Sequence, residues 1–352
     1  MKVVESVSAV RRAHGAIAVG GRLRRREERE AELAAILAPG ATVPIGAGRR
    51  TEPEEADPYR LCFERDRDRI KHSRAFRRLA GKCQVYVAPE DDHLRTRMTH
   101  AVEVAQVATG IGAPVGLCLP LIEAAALAHD CGHGPAGHSS EAAFASYMPD
   151  GEYHHAVYGA DVTLAHLNLC EETLDAVRNH SWNRPPPRTP EGEVVAWADR
   201  IAYVCHDFED ACRAGILMPS DLPSEVADVV GTRRSRQLNR FIEGVLSGTE
   251  ASGTVAMAET EGAALSAFRD FNFERIYLRP ESVAQAEKVV TLLRGLVGRF
   301  IEDPLEPEVE PRSSEAAAAA VRYVSGMTDR FALRLGVDLL GWDPERLPRG
   351  VP

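Results

Sequence analysis

No Cys-x-x-Cys pair occurs in the 352 residues, and the cysteines, Cys62, Cys83, Cys118, Cys131, Cys170, Cys205 and Cys212, are odd in number. That argues against a disulfide framework and fits reduced thiols in a cytoplasm. No apolar run approaches the ~18 residues that a bilayer-spanning helix needs, and no apolar stretch of adequate length follows a basic start. A soluble cytoplasmic protein with no membrane partner is the expectation. Internal repeats are absent, and no alternation of apolar and polar residues is long enough for a sheet. The formal charge of -10 argues against general nucleic-acid coating. Cations are nevertheless concentrated at Arg22 to Arg26, from Arg60 to Arg78 and at Arg95 and Arg97. A local pocket for phosphates is compatible with the overall acidity.

What the chain does have is helical periodicity. Residues 1 to 21 read as an arm or peripheral strand, Leu23 to Leu37 as a charged helix, and Pro39 to Pro53 as a loop. A helix follows from Pro58 to Leu79, and Gly81 ends it. A short extended piece is expected at Gln84 to Val87. Further helices are expected at 97–109, 115–129, 139–148, 156–168, 171–180, 192–214, 223–246, 262–270, 281–302 and 314–335. The insert Arg184-Pro-Pro-Pro-Arg-Thr-Pro190 cannot be helical, and Gly248 to Gly262 reads as a mobile loop. The fold class is mostly α.

The chemistry concentrates in His-Asp-Cys-Gly-His-Gly-Pro-Ala-Gly-His, residues 129 to 138. A helix that turns Leu121, Ala124, Ala125, Leu127 and Ala128 toward a core delivers His129 and Asp130 at its C-terminal end, where Gly132, Gly134 and Pro135 stop it. His133 lies one turn on, and His138 and Glu141 follow. A lone His-Asp dipeptide is more often a capping or surface pair, but this density reads as a metal site. In a second segment Asp199, Tyr203 and Asp207 recur every four residues and share one helical face. Buried without partners such a stripe would be costly, so a cation or bound hydroxyls are natural companions. Together His100, His129, Asp130 and Asp199 offer two imidazoles and two carboxylates from three helices. That set suits Mn, Fe, Co, Ni or Zn, and Mg less comfortably. Four ligands on an octahedral ion leave room for water and substrate, which favours catalysis.

The order His100, His129-Asp130, Asp199 resembles the HD superfamily of metal-dependent phosphohydrolases. Arg65 to Leu79, Arg95-Thr-Arg-Met-Thr-His100 with Glu103 to Gln106, Ala198-Asp-Arg-Ile-Ala-Tyr203 and Gly326-Met-Thr-Asp-Arg-Phe-Ala332 narrow it. With them the chain, over roughly residues 58 to 335, is similar to the bacterial deoxyguanosinetriphosphate triphosphohydrolase family. The resemblance implies an N-terminal arm and charged helix (1–57), an HD-type phosphohydrolase core (58–215), a C-terminal helical region (216–340) and a tail (341–352). It implies hydrolysis of a deoxynucleoside triphosphate (dNTP) to deoxynucleoside and inorganic triphosphate, with a divalent metal as cofactor. His100, His129, Asp130 and Asp199 would hold the metal. His133, Glu141 and His155 would serve as acid/base and positioning groups, with His133 the first choice for the acid, and His138 would bind phosphate oxygen nearby. Gln84 and Arg97 would contact sugar and phosphate, and Tyr203 and Asp207 the deoxyribose and its 3′-hydroxyl. A homo-oligomer, and a nucleotide or single-stranded DNA effector, are implied as partners.

The sequence departs from the family pattern at Ala156 and Tyr158, where Asn and Gln are usual, and at Gly134-Pro-Ala136, where Pro-Pro-Phe is usual. Those positions leave base preference open. They also leave open an HD nucleotidase or phosphodiesterase acting on monophosphates, and a low-turnover regulatory nucleotide-binding protein. His72, His93, His166 and His180 read as surface or packing residues, and Trp182, Trp197 and Trp342 as core or interface residues.

Overall fold

The computed structural model describes residues 21–89 and 91–348; the arm expected before residue 21 and the last four residues of the tail lie outside them. Among the described residues there are fifteen α-helices and no strand. They run in order: α1 (Arg26–Ala34), α2 (Cys62–His72), α3 (Arg74–Arg78), α4 (Arg97–Val115), α5 (Leu119–Ala128), α6 (His138–Phe144), α7 (His155–Tyr158), α8 (Glu171–Asn179), α9 (Pro190–Arg213), α10 (Ser224–Val230), α11 (Arg234–Ser252), α12 (Glu259–Asn272), α13 (Pro280–Glu302), α14 (Ser314–Ser325) and α15 (Asp329–Leu340). The extended piece expected at 84–87 forms no strand; its neighbourhood contributes one isolated antiparallel bridge, Cys83 with Thr96.

Breaks between helices have local causes. Ser73 is extended and its hydroxyl caps α3 by accepting from Phe76 N at 3.1 Å, so the helix expected from Pro58 to Leu79 is two. The helix expected at 223–246 divides at Gly231 (φ +76°), and the one at 314–335 divides at 326–328. The loop expected from Gly248 to Gly262 shortens to 253–258. Gly248 permits this, because a Cβ there would sit 2.6 Å from the Ala256 carbonyl oxygen.

Seven of the ten residues of α5 are buried, and the helix packs against α2, α4, α8 and α9. Leu121, Ile122 and Leu127 are each worth about 1.5–3 kcal/mol when fully buried, so α5 is held at the centre and its C-terminal end lies inside the protein. One apolar cluster runs from Ile70 through α4, α5, α8 and α9 to Ile276, and a second joins Phe144 and Tyr153 to α13, α14 and α15. The C-terminal helices therefore back onto the segment that follows α5.

Candidate metal centre

The end of α5 carries His129, fully buried, and Asp130, 3 % exposed. The chain turns at once through Gly132, where a Cβ would run into the His155 carbonyl and the backbone of Gly159. Glycine lets α7 close over the turn. Facing this end, α4 presents His100 and α9 presents Asp199. His100 Nε2 lies 3.0 Å from Asp199 Oδ1, and His129 Nε2 lies 3.6 Å from both Asp199 Oδ1 and Asp130 Oδ1.

The tautomer of His129 tests whether these residues suit a metal. Its Nδ1 is 2.6 Å from the Ala126 carbonyl, which only accepts, so Nδ1 carries the proton. Nε2 is left as a lone pair, buried and without a hydrogen-bond partner, aimed at two carboxylate oxygens. Such a meeting of acceptors is repulsive unless a cation stands between them. The ligand atoms of His100, His129 and Asp199 fall within 4.8 Å of one another, as do those of His129, Asp130 and His180. The donor set fits a divalent ion. Burial opposes the charge on Asp130 and Asp199, yet both carboxyls are held below the usual range. Arg97, at 2.7 Å, does this for Asp130 together with His129 and His133; His100 and His129 do it for Asp199.

His180 was expected at the surface or in ordinary packing. It is buried at the end of α8, donates Nδ1–H to the Val177 carbonyl at 2.8 Å and points Nε2 into the cluster. The same bond to a carbonyl three residues back orients His129 and His180, and no spacing in the sequence announces it. Burial, with His129 and His155 nearby, pushes His180 down to about 3.

A second group adjoins the first. The rings of His133 and His155 stack with centroids 3.8 Å apart, His133 Nε2 is 3.2 Å from Asp130 Oδ1, and His155 Nδ1 is 2.6 Å from Glu141 Oε1. Burial lowers both imidazoles, His133 well below its ordinary value with Arg97 and His155 adding to the effect. Burial likewise opposes the charge of Glu141, but His138 and His155 hold its carboxyl far below the usual range. His138 itself is exposed at the start of α6, 3.6 Å from Glu141 Oε2.

Both groups line one cavity of about 520 Å³, which also takes in Gln84, Arg97, Tyr203 and Asp207. Ten of the twelve residues singled out line it; His129 lies behind Asp130 and Asp199, and Glu141 borders it through His155 and His138. Within its lining the Tyr277 hydroxyl donates to Asp207 Oδ2, while Asp207 Oδ1 and Gln84 Oε1 are buried and unpartnered. Burial first, then Asp210, raises the Asp207 carboxyl to about 7. Arg200, Arg269 and Tyr277 also line the cavity and were not singled out. Arg200 had a signal in adjoining Asp199; Arg269 and Tyr277, from α12 and the π-turn after it, had none. Trp182, expected in a core or interface, is 46 % exposed at the cavity rim, with the Arg200 guanidinium 3.5 Å above its ring and Trp197 against its edge.

Comparison with known proteins agrees with this geometry. Residues 97–204 match the HD domain and residues 255–336 a phosphohydrolase-associated domain. A deoxyguanosinetriphosphate triphosphohydrolase-like protein of Caldanaerobacter subterraneus subsp. tengcongensis is 37% identical over 295 residues, covering 81% of this chain and 86% of that protein. One of the same description from Clostridium tetani is 35% identical over 332 residues, covering 89% and 95%. The chain belongs to this dGTPase-like family. It is therefore a metal-dependent phosphohydrolase of the HD fold, and His100, His129, Asp130, Asp199 and His180 could hold the divalent ion. A crystal structure of a hypothetical protein from Aquifex aeolicus shares the fold, with a TM-score of 0.51 at 16% identity over 80% of this chain and 69% of that one. Among the described residues of this family member, no helix is long and apolar enough to cross a membrane.

Proposed function

We propose that the protein hydrolyses deoxynucleoside triphosphates at the α-phosphorus, releasing deoxynucleoside and inorganic triphosphate. The observation that carries this reading is one cavity lined both by the His/Asp cluster and by the buried, unpartnered polar atoms Gln84 Oε1 and Asp207 Oδ1. A ligand filling it needs an anionic phosphate chain and a hydroxyl-bearing sugar. The relatives' description as dGTP triphosphohydrolase-like supports the same class.

When bound, the metal lowers the pKa of water and polarises a phosphoryl oxygen. The chain's own residues supply the rest. His100, His129, Asp130 and Asp199 would hold the ion. Arg97 fixes the second oxygen of Asp130 and adds positive charge toward the phosphates, as do Arg200 and Arg269. His133 is neutral in the resting site; phosphate charge beside it offsets Arg97, favours its protonated form and equips it to protonate the departing 5′-oxygen. Glu141 keeps His155 turned toward the α-phosphate, and His138 meets an outer oxygen. Gln84 Oε1 accepts from the 3′-hydroxyl, and the protonated Asp207, whose Oδ2 accepts from Tyr277, donates from Oδ1 to that hydroxyl's oxygen. The Tyr203 ring lies against the sugar, where an unpaired 2′-hydroxyl would cost ~1–3 kcal/mol. The reading extends to a cytoplasmic homo-oligomer responsive to a nucleotide or single-stranded DNA.

The test is chromatography of products from metal-loaded protein given each dNTP, each NTP and a dNMP, with Asp199→Ala alongside. Deoxynucleoside plus triphosphate, lost in the variant, is the expected outcome. Phosphate from the monophosphate alone would replace the reading with a nucleotidase, and equal turnover of GTP and dGTP would remove the role given to Tyr203.

A further inference from the structure

The stretch Gly326-Met-Thr-Asp-Arg-Phe-Ala332 carries part of the family resemblance, yet none of its residues lines the cavity. The turn between α14 and α15 packs instead behind the cavity wall. Asp329 is 3 % exposed; its Oδ2 accepts from Cys83 N at 2.9 Å and its Oδ1 from Ala136 N at 2.8 Å. Those two amides belong to two different walls. Cys83 leads directly into Gln84, and Ala136 sits in the loop between His133 and His138, with φ +58°, a backbone conformation that alanine adopts at a cost. Beside this contact the buried Lys82 donates from Nζ to the His133 carbonyl and to the Ser325 carbonyl, the latter at 2.8 Å. The approach is close: a Cβ on Gly81 would lie 2.6 Å from Thr328 Cγ2.

We propose that Asp329 is a positioning residue for hydrolysis. Its one carboxylate bridges the segment that carries Gln84 and the loop that carries His133, with Lys82 on the Gln84 segment seconding it, and so holds the strained loop in register with the metal ligands. A buried aspartate serving stability alone would need only donors; this one takes them from two segments that both line the cavity, at Gln84 and Ala136. The C-terminal helices thereby become part of what aligns the reaction rather than a cover. The proposal rests on the role given above to the loop from His133 to His138.

The experiment uses the full chain with Asp329→Ala, Asp329→Asn and, as a stability control far from the cavity, Gln237→Ala, which loses a buried bond to the Gly231 carbonyl. Amide exchange by mass spectrometry and bound-metal content are read without substrate; kcat and KM are read with whichever dNTP the wild type turns over. Asp329→Ala is expected to exchange faster over residues 131–138, to keep its metal and KM, and to lose kcat on the order of 10²-fold, the size of a roughly 1 Å misplacement. Asp329→Asn, which keeps one acceptor, should fall between it and wild type, and it carries the test alone if the alanine variant does not fold. Gln237→Ala should lower the melting temperature with kcat intact. Unchanged exchange over 131–138 in the Asp329 variants would overturn the proposal, as would a kcat loss that merely follows melting temperature as in the control. If the wild type hydrolyses no dNTP, the substrate reading fails, while the exchange and metal measurements still decide the role of Asp329.

Discussion

Removal of the His129 imidazole should abolish the stabilisation that a divalent ion confers. The His129 Nε2 lone pair points at Asp130 Oδ1 and Asp199 Oδ1, each 3.6 Å away, and nothing else satisfies it. A divalent ion held by these residues would relieve that repulsion. At a concentration 100 times its Kd it stabilises the native state by about 2.7 kcal/mol. Scaled to 352 residues, an unfolding entropy of ~2.1 cal/mol/K per residue gives about 1.4 °C per kcal/mol, so the melting temperature should rise by about 4 °C. In His129→Ala the two carboxylates no longer share a neutral nitrogen ligand, and the rise should shrink below about 1 °C by the same conversion. The assay is scanning calorimetry of chelator-stripped wild type and variant, titrated in turn with Mn, Co, Ni, Zn and Mg. A variant that keeps the full rise would refute the assignment of His129. A wild type that responds to none of the ions would remove the centre altogether.

Two further outcomes follow from the same geometry. Gly132→Ala forces a Cβ into the His155 carbonyl and the Gly159 backbone; since backbone cannot rotate away, more than about 2 kcal/mol of stability should be lost together with activity, and a variant unchanged in urea unfolding would show that α7 does not close on the turn. Asp207, raised from 3.8 to about 7 by burial, keeps its proton in the native state over a range where the unfolded chain has lost it. The wild type therefore loses stability as pH rises from about 4 to about 7. Asp207→Asn escapes that loss, so its stability relative to wild type should be greater at pH 8 than at pH 5 by about 3 kcal/mol. Equal differences at the two pH values, from denaturant midpoints, would contradict a buried neutral carboxyl.

The helical class and the density of ligands around His129 were legible because both are local. A 3.6-residue period places Leu121, Leu127 and Ala128 without knowledge of any partner, and the same period places Asp199, Tyr203 and Asp207 on one face of α9. Helix ends were less legible. The divisions at Ser73, Gly231 and 326–328 depend on one capping hydroxyl, one positive φ and one close approach to Gly81. His180 escaped because an isolated histidine carries no period; its orientation comes from a bond to the Val177 carbonyl and its company from the packing of α8 against α5 and α9.

By itself the sequence determined an α-helical chain and a cluster of His and Asp residues of the kind that could hold a metal ion, since propensity, periodicity and side-chain chemistry act over a few residues. Only the tertiary structure decided that His129 presents Nε2 rather than Nδ1, that His180 joins the cluster, that Tyr277 reaches Asp207 from the C-terminal half, and that Asp329 braces the loop of His133. Those are contacts between segments tens to hundreds of residues apart, and they exist only because burying α5 brings the surrounding helices within a few ångströms of its end.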